Sequence, residues 1–317
     1  MSETVFVVGH RNPDNDSISA AVAYANLKNV LAERACAEGE EPALVYKPVR
    51  LGPLPAESEW VLETFGFEVP ELVEGAEAGQ KLVLVDHNEV RQAIPGIEDA
   101  EVVEIIDHHR IADVMTANPI MYLNLPWGST ASIVTRLYKD YGVEITPEVA
   151  RVLLSAILTD TVILKSPTAT AVDEGLVAEL AEIAGVDAVK YGVELFKKRG
   201  GEEAIEIEKF VGADAKEFQV GDKVVLIAQH ETVDLEGAMA REAEARAHMN
   251  DLLQKNDYDF VLLLVTDIVA EGSQFLVEGN TELVNRVFEI ECNAEGGNWM
   301  PGVLSRKKQV AAPILAG

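Results

Sequence analysis

Three apolar, β-branched runs in this chain each break off at an acid or a histidine. Thr4–Val8 leads into Gly9-His10-Arg11-Asn12-Pro13-Asp14-Asn15-Asp16, Lys81–Val85 into Asp86-His87-Asn88, and Val102–Ile106 into Asp107-His108-His109. A fourth acid, Asp160, closes the helical pattern Glu148–Asp160 after a stretch with almost no charge. A buried carboxylate is costly unless it is paired or bound to a metal, and an acid is disfavoured at a helix C-terminus. Taken singly, each feature has an ordinary explanation: Asn12-Pro13-Asp14 is good turn chemistry, and Asp86-His87-Asn88 could simply cap a strand. Their coincidence favours one shared site. His10, Asp14, Asp16, Asp86, His108 and Asp160 offer imidazole and carboxylate donors, a set suited to Mn²⁺, Mg²⁺ or Co²⁺. One ion would be over-supplied by six side chains. Two ions sharing a bridging carboxylate would use them and keep positions open for water and substrate. Metal pairs ~3.5–4 Å apart are the usual arrangement for phosphoryl hydrolysis.

Charge sets a condition on that chemistry. The formal net charge is −28, so nucleic acid and anionic membrane are poor partners for the general surface. A polyphosphate substrate would need local cations. The most concentrated basic run is Ser305-Arg306-Lys307-Lys308-Gln309. Arg can grip phosphate with two parallel hydrogen bonds, and Lys acts as a point charge. This run lies far from the acid-bearing strands in sequence, which implies an active site in a cleft between two domains.

The elements that must position these residues follow from hydrophobic periodicity. The sequence predicts strands at Thr4–Val8, Pro42–Tyr46, Lys81–Val85, Val102–Ile106 and Pro119–Leu123. It predicts helices over Ser17–Arg34, Ala56–Phe65 (stopped by Gly66), Thr130–Tyr141, Pro147–Leu158 (capped by Thr146) and Asp173–Ala184. Such alternation means βαβ units and an α/β fold, with a doubly wound, mainly parallel sheet over residues 1–190. In open sheets of this kind ligands bind at the carboxyl ends of the strands. Glycines near 185–200 mark a boundary, and Lys197-Lys198-Arg199 reads as a solvated basic loop. Residues 191–317 then form a smaller mixed α/β domain. It has strands at Val224–Gln229, Phe260–Thr266 and Gln274–Val277, one long helix from Val233 to Lys255, and a helix over Thr281–Phe288.

Composition bounds the class. The chain has 317 residues and is 48% hydrophobic, which fits about two folded domains. No apolar run approaches a membrane span, and no signal-peptide pattern opens the sequence. Cys36 and Cys292 match no metal spacing and read as free thiols of a reducing cytoplasm. His230 and His248 lack acidic strand-end companions and read as structural or exposed, and Trp127 and Trp299 as packing residues.

The motifs Gly9–Asp16, Leu84–Glu89, Ile106–Arg110, Leu158–Thr161, Asp214–Phe218 and Ser305–Gln309 together resemble the family II inorganic pyrophosphatases. These are manganese-dependent members of the DHH phosphoesterase superfamily, and the likeness spans nearly the whole chain. It implies a DHH catalytic domain followed by a DHHA2-like substrate-binding domain, and hydrolysis of pyrophosphate by a bridging hydroxide on two Mn²⁺ ions per subunit. Co²⁺ is an alternative metal, and Mg²⁺ arrives with the substrate. His10, Asp14 and Asp86 would hold one ion, and Asp16, Asp86, His108 and Asp160 the other. His109 would contact the substrate and protonate the leaving phosphate. Lys216, Arg306 and Lys307 would bind the phosphates; of these, Lys216 comes from the resemblance alone. Asp107 would support the histidines, and His87 is left without a role. The resemblance also implies a homodimer joined through the first domain, with domain closure over substrate. Two departures stand out, Arg11 where the family often has Gln or Lys, and Ser129 where it often has Cys. Both are expected to stay clear of the ligands. No nucleotide-binding insertion separates the motifs, so adenine-nucleotide control is not expected.

Two rival readings share parts of this pattern. A superfamily relative cleaving short oligonucleotides, cyclic dinucleotides or nucleoside bisphosphates would need a base-binding Gly-rich loop, for which Gly296-Gly297 is the one hint. A non-catalytic metal or phosphate sensor would keep the ligands without turnover.

Overall fold

The computed structural model describes residues 2–37, 40–292 and 298–316. The chain divides into two compact units, Met1–Arg199 and Gly200–Gly317.

The first unit alternates strand and helix as its periodicity predicts. In chain order it contains β1 (Glu3–Arg11), α1 (Asn15–Arg34), β2 (Leu44–Leu51), α2 (Ala56–Phe65), the short β3 (Glu71–Leu72), β4 (Lys81–Val85), β5 (Glu101–Asp107) and β6 (Met121–Asn124). Four helices follow: α3 (Thr130–Asp140), α4 (Pro147–Asp160), α5 (Ala171–Ala184) and α6 (Ala188–Arg199). All six strands are parallel, in the order β3-β2-β1-β4-β5-β6. The chain winds outward from β1 in one direction through β2 and β3, then returns to β1's other side with β4. The order therefore reverses between β1 and β4, and the connecting segments part there, leaving a crevice at the strands' carboxyl ends. Val5, Val7, Val8, Leu82, Leu84, Ile105 and Ile106 are buried within this sheet, as near-continuous apolar strands covered on both faces require.

Local signals fix the helix ends. Thr146 caps α4, its hydroxyl accepting from Val149 N, with Pro147 in the first turn. Gly66 ends α2 in the left-handed region at φ 77°. Gly9 has another role: a Cβ there would lie 1.9 Å from Ser17 Oγ, so only glycine lets the start of α1 pack this closely on β1. One expectation fails here. Lys197-Lys198-Arg199 is solvent-exposed as expected, yet it is the last turn of α6 rather than a loop, and Arg199 Nε donates to the buried Glu57 Oε1 at 2.6 Å. The division between units accordingly falls after α6 rather than at residue 190.

The second unit contains α7 (Ile207–Gly212), β7 (Lys216–Val220), β8 (Lys223–Thr232), α8 (Leu235–Met239), α9 (Glu242–Asn256), β9 (Phe260–Asp267), β10 (Gly272–Gly279), α10 (Glu282–Phe288), β11 (Asn298–Pro301) and α11 (Ala312–Ala316). Its mixed sheet runs β11-β10-β9-β8-β7, with β8 and β9 parallel and the other pairs antiparallel. The single helix expected from Val233 to Lys255 is instead two, α8 and α9. Arg241 stands at the break and donates from Nη1 to the carbonyls of Glu202 and Ile205, at 2.7 and 2.6 Å. Apolar periodicity runs through such a joint without marking it. The basic run starts a π-helical turn, Arg306–Ala311, with the Ser305 hydroxyl accepting from Lys308 N.

Candidate active site

Three neighbouring strands of the first sheet deliver the ligands that the sequence nominates. His10 lies near the end of β1, and Asp14 and Asp16 follow at the start of α1. There Asp14 is the N-cap, accepting from Ser17 N at 2.9 Å. Asp86 is the first residue after β4, held at φ 62° with its N–H donating to Ile106 O at 3.0 Å. Asp tolerates this left-handed conformation better than a bulky residue would. His108 and His109 follow β5, and Asp160 is the last residue of α4. Because β1 and β4 flank the reversal of strand order, residues far apart in sequence meet at one point.

Asp86 is the hub. Its Oδ2 lies 3.5 Å from His10 Nε2, and its Oδ1 lies 3.4 Å from His108 Nε2 and 3.6 Å from His109 Nδ1. His10 Nε2 also approaches Asp14 Oδ2 at 3.6 Å, and His108 Nε2 approaches Asp160 Oδ2 at 3.4 Å. Possible ligand atoms form overlapping groups, His10-Asp14-Asp86, Asp16-His108-Asp160 and Asp86-His108-His109, within 4.8 Å in each. The outer ring nitrogens orient the imidazoles: His10 Nδ1 sits 2.9 Å from Arg11 O, and His108 Nδ1 3.0 Å from Trp127 O. A proton on each Nδ1 would satisfy that carbonyl and leave Nε2 facing the carboxylates. His109 differs. Its Nδ1 lies 2.9 Å from Asp107 Oδ1, so its Nε2 is the nitrogen left for a substrate. Asp107 is fully buried and also accepts from His109 N and Asn88 Nδ2.

The protonation pattern is that of a cation site. Burial pushes Asp160 up to about 7, helped by the charge of Asp86, and burial with Asp86 and Asp160 raises Asp16 well above the usual carboxylate range. Burial opposes the charge on His10 and His108, but their contacts with Asp14 and Asp86, and with Asp86, Asp16 and Asp160, outweigh it. They rise to about 11 and about 10. Asp86, despite burial, is held well below its ordinary value by His10 and His108. Buried carboxylates this close cannot all ionise without positive charge between them, which divalent cations would supply. The donor set therefore fits hard or borderline divalent ions. His87 is buried behind Asp86. Its Nδ1 meets Val85 O at 2.9 Å, and burial lowers its pKa.

Sequence reasoning placed the start of α3 at Thr130 but missed that this N-terminus serves the site. Ser129 was expected to stay clear of the ligands, yet its hydroxyl donates to Asp16 Oδ1 at 2.8 Å. Thr130 N and Ala131 N donate to the two oxygens of the same carboxylate, at 2.6 and 3.0 Å, and Thr130 Oγ1 donates to Asp86 Oδ1 at 3.0 Å. A helix N-terminus thus orients Asp16. The helix start at Thr130 was legible in the sequence, but not which carboxylate it serves. Arg11, the other departure, donates from Nε to Ala93 O. A cavity of about 400 Å³ beside Asp14, Asp16 and Asp160 is bounded on another side by Arg199.

In the second unit the phosphate-binding candidates Lys216, Arg306 and Lys307 sit on β7 and the π-helical turn. Lys216 and Lys307 are exposed, whereas Arg306 is buried. His230 pairs with Glu202 at 2.7 Å and packs on Phe210, a structural role as expected. Trp127 contributes its carbonyl to His108, and Trp299 lies against Gly272. Gly296-Gly297 lies outside the described residues.

Imidazoles and carboxylates gathered where a parallel sheet reverses its order, on a chain that also carries an Arg-Lys turn, define a metal-dependent phosphoesterase. Residues 4–157 match the model of the DHH family N-terminal domain, and residues 193–316 that of the DHHA2 domain. The chain is 42% identical over 315 residues to the manganese-dependent inorganic pyrophosphatase of Bacillus subtilis strain 168, covering 99% of this chain and 98% of that one. It is 38% identical over 317 residues to a protein of Clostridium acetobutylicum named as a probable manganese-dependent inorganic pyrophosphatase, covering 100% and 98%. The crystal structure of a Methanococcus jannaschii protein described as a putative family II inorganic pyrophosphatase aligns with a TM-score of 0.57 and 35% identity over 98% of both chains. The chain belongs to the family of manganese-dependent, family II inorganic pyrophosphatases.

Proposed function

We propose that this protein hydrolyses inorganic pyrophosphate to two phosphates with Mn²⁺ as its metal. The observation that carries the reading is the meeting of His10, Asp14, Asp16, Asp86, His108 and Asp160 around one buried hub, in a chain similar over its full length to manganese-dependent pyrophosphatases. His10, Asp14 and Asp86 would hold one ion, and Asp86, Asp16, His108 and Asp160 a second. When bound, the pair supplies Lewis-acid activation of water and neutralises phosphate charge. Co²⁺ satisfies the same donors, and Mg²⁺ would enter with the substrate.

The chain's own groups do the remaining work. The contact with Asp107 raises the pKa of His109 against the opposing effect of burial, which favours the doubly protonated ring. With Asp107 holding the Nδ1 proton, Nε2 can donate the other to the oxygen of the leaving phosphate. Asp107 thus orients the ring and stabilises its charge without itself reaching the substrate. Lys216, Arg306 and Lys307 would bind phosphate oxygens; an Arg fork suits tetrahedral oxyanions, and flexible lysines complete the charge balance.

Two further features belong to this reading. A homodimer through the first unit is supported by β6, an edge strand with exposed Tyr122 and, nearby, Met115 at 91% exposure. A reducing, cytoplasmic setting is supported by Cys36 and Cys292, both free. No helix among the described residues is long and apolar enough to cross a membrane.

The test is phosphate release from pyrophosphate by metal-stripped protein, with Mg²⁺ alone and after trace Mn²⁺. Strong activation by Mn²⁺ is expected. Folded protein that binds Mn²⁺ but releases no phosphate would refute the reading and direct attention to dinucleotide substrates.

A further inference from the structure

The motif that contributes Lys216 also contains an acid to which no role has been given. Asp214 accepts a two-point hydrogen bond from Arg306, with Oδ2 3.0 Å from Nε and Oδ1 2.9 Å from Nη2. We infer that Asp214 is a positioning residue, fixing the Arg306 guanidinium so that its remaining edge faces phosphate. The inference rests on the proposed role of Arg306 in binding pyrophosphate.

A guanidinium has five N–H donors arranged as two forks sharing Nη2. Asp214 occupies the Nε/Nη2 fork. The Nη1/Nη2 fork is left, and Nη1 is a buried donor without a hydrogen-bond partner. Buried donors are rarely left this way, and an orphan deserves an explanation. Tetrahedral oxyanions match the same fork geometry that Asp214 already uses on the other side. Arg306 is 8% exposed although it is among the most hydrophilic of side chains, so its position is imposed by its surroundings.

The surroundings are built for that purpose. Gln229, on β8, joins the two segments that carry the pair. Its Oε1 accepts from Arg306 N at 2.9 Å, its Nε2 donates to Thr266 Oγ1 and Leu304 O at 2.9 and 3.0 Å, and its own N–H donates to Ala213 O at 3.1 Å. One residue thereby anchors the backbone beside Asp214 and the backbone of Arg306. Asp214 itself adopts φ 38°, a left-handed conformation that aspartate tolerates and that turns the chain just before β7. Its side chain is 67% exposed. With its acid this open to water the pair contributes little stability; what the two-point geometry provides is direction.

The alternative is that Asp214 competes with phosphate for Arg306, and the two roles predict opposite signs. Steady-state hydrolysis of pyrophosphate by the Mn²⁺-loaded protein would be compared for wild type, Asp214→Ala, Asp214→Asn, Arg306→Ala and the double variant Asp214→Ala/Arg306→Ala. Positioning predicts that Asp214→Ala raises KM on the order of tenfold or more, with a smaller change in kcat. Asp214→Asn, which keeps one acceptor and the shape, falls between. In the double variant, loss of Asp214 adds nothing to loss of Arg306, because it acts through that residue. The Mn²⁺-induced rise in melting temperature should be unchanged throughout, which controls for folding. If Asp214→Ala does not fold, Asp214→Asn with and without Arg306 completes the same cycle. A normal Arg306→Ala defect with additive losses, or with KM lowered or unchanged by Asp214→Ala, overturns the inference alone. An Arg306→Ala variant with wild-type KM removes the role of Arg306, and the inference falls with it.

Discussion

Asp86 touches both histidine Nε2 atoms that face the carboxylates, so its loss should be felt by both proposed ions. Asp86→Ala is expected to abolish hydrolysis and to weaken Mn²⁺ binding by well over the ~10–100-fold typical of lost supporting contacts, as calorimetry would measure. Retained Mn²⁺ affinity would show that Asp86 is not the hub. His10 and His108, raised to about 11 and about 10, carry protons at neutral pH that must leave before Nε2 can ligate. Asp160, at about 7, is partly protonated there and must also ionise. All three shifts are upward, so Mn²⁺ affinity should rise with pH, about tenfold per pH unit for each proton released. Titrations near neutrality in buffers of different ionisation enthalpy should show net proton release, larger at about pH 6 than at about pH 8 as Asp160 adds its share. A pH-independent affinity would contradict the arrangement.

At the scale of elements, the N-terminus of α3 is a second organiser of the site. Ser129→Ala removes the cap and one donor to Asp16. The expected result is a loss of about 1 kcal/mol in stability, read by thermal denaturation, with Mn²⁺ affinity down by about tenfold. If Mn²⁺ binding were untouched, the contact with Asp16 would matter only to the helix. This element also shows where sequence reasoning stops. The strand-end acids could be read because apolar runs that stop at charge are a local pattern, and the ligand candidates fall together as a result. Ser129 could not be linked to Asp16, because a serine before a helix looks the same whatever lies opposite it. Asp214 escaped for a similar reason, since nothing local distinguishes an acid that meets Arg306 from one that meets water. The break between α8 and α9 was invisible because both helices keep the same apolar period, and only the carbonyls that Arg241 reaches mark the joint. Lys197–Arg199 is exposed as a basic triplet suggests, but the glycines around it concealed that it ends a helix, where Arg199 answers a buried Glu57.

For the whole molecule, the metal candidates come entirely from the first unit, and Arg306 and its partners entirely from the second. Arg306→Ala should therefore impair pyrophosphate handling, by on the order of tenfold or more in kcat/KM, and leave the Mn²⁺-induced thermal shift intact. Loss of the metals in that variant would break the division of labour. The formal net charge of −28 sharpens the contrast. An anionic substrate meets a field that opposes it except where cations have been placed, and the proposed role of exposed Lys216 and Lys307 and buried Arg306 is to counter it locally.

The reversal of strand order between β1 and β4 has a consequence in time as well as in space. Its ligands span residues 10 to 160, and none of the proposed pairs lies within one strand. A ribosome emitting this chain releases His10, Asp14 and Asp16 long before the partners that complete them. β1 must wait for β4 and β5, and the last acid arrives only with the end of α4. Parallel pairing of such distant segments is slow to assemble. With these residues as its ligands, manganese capture would report that the fold is complete as far as the end of α4, and a chain stalled before Asp160 would leave the ribosome without a complete place to hold the metal.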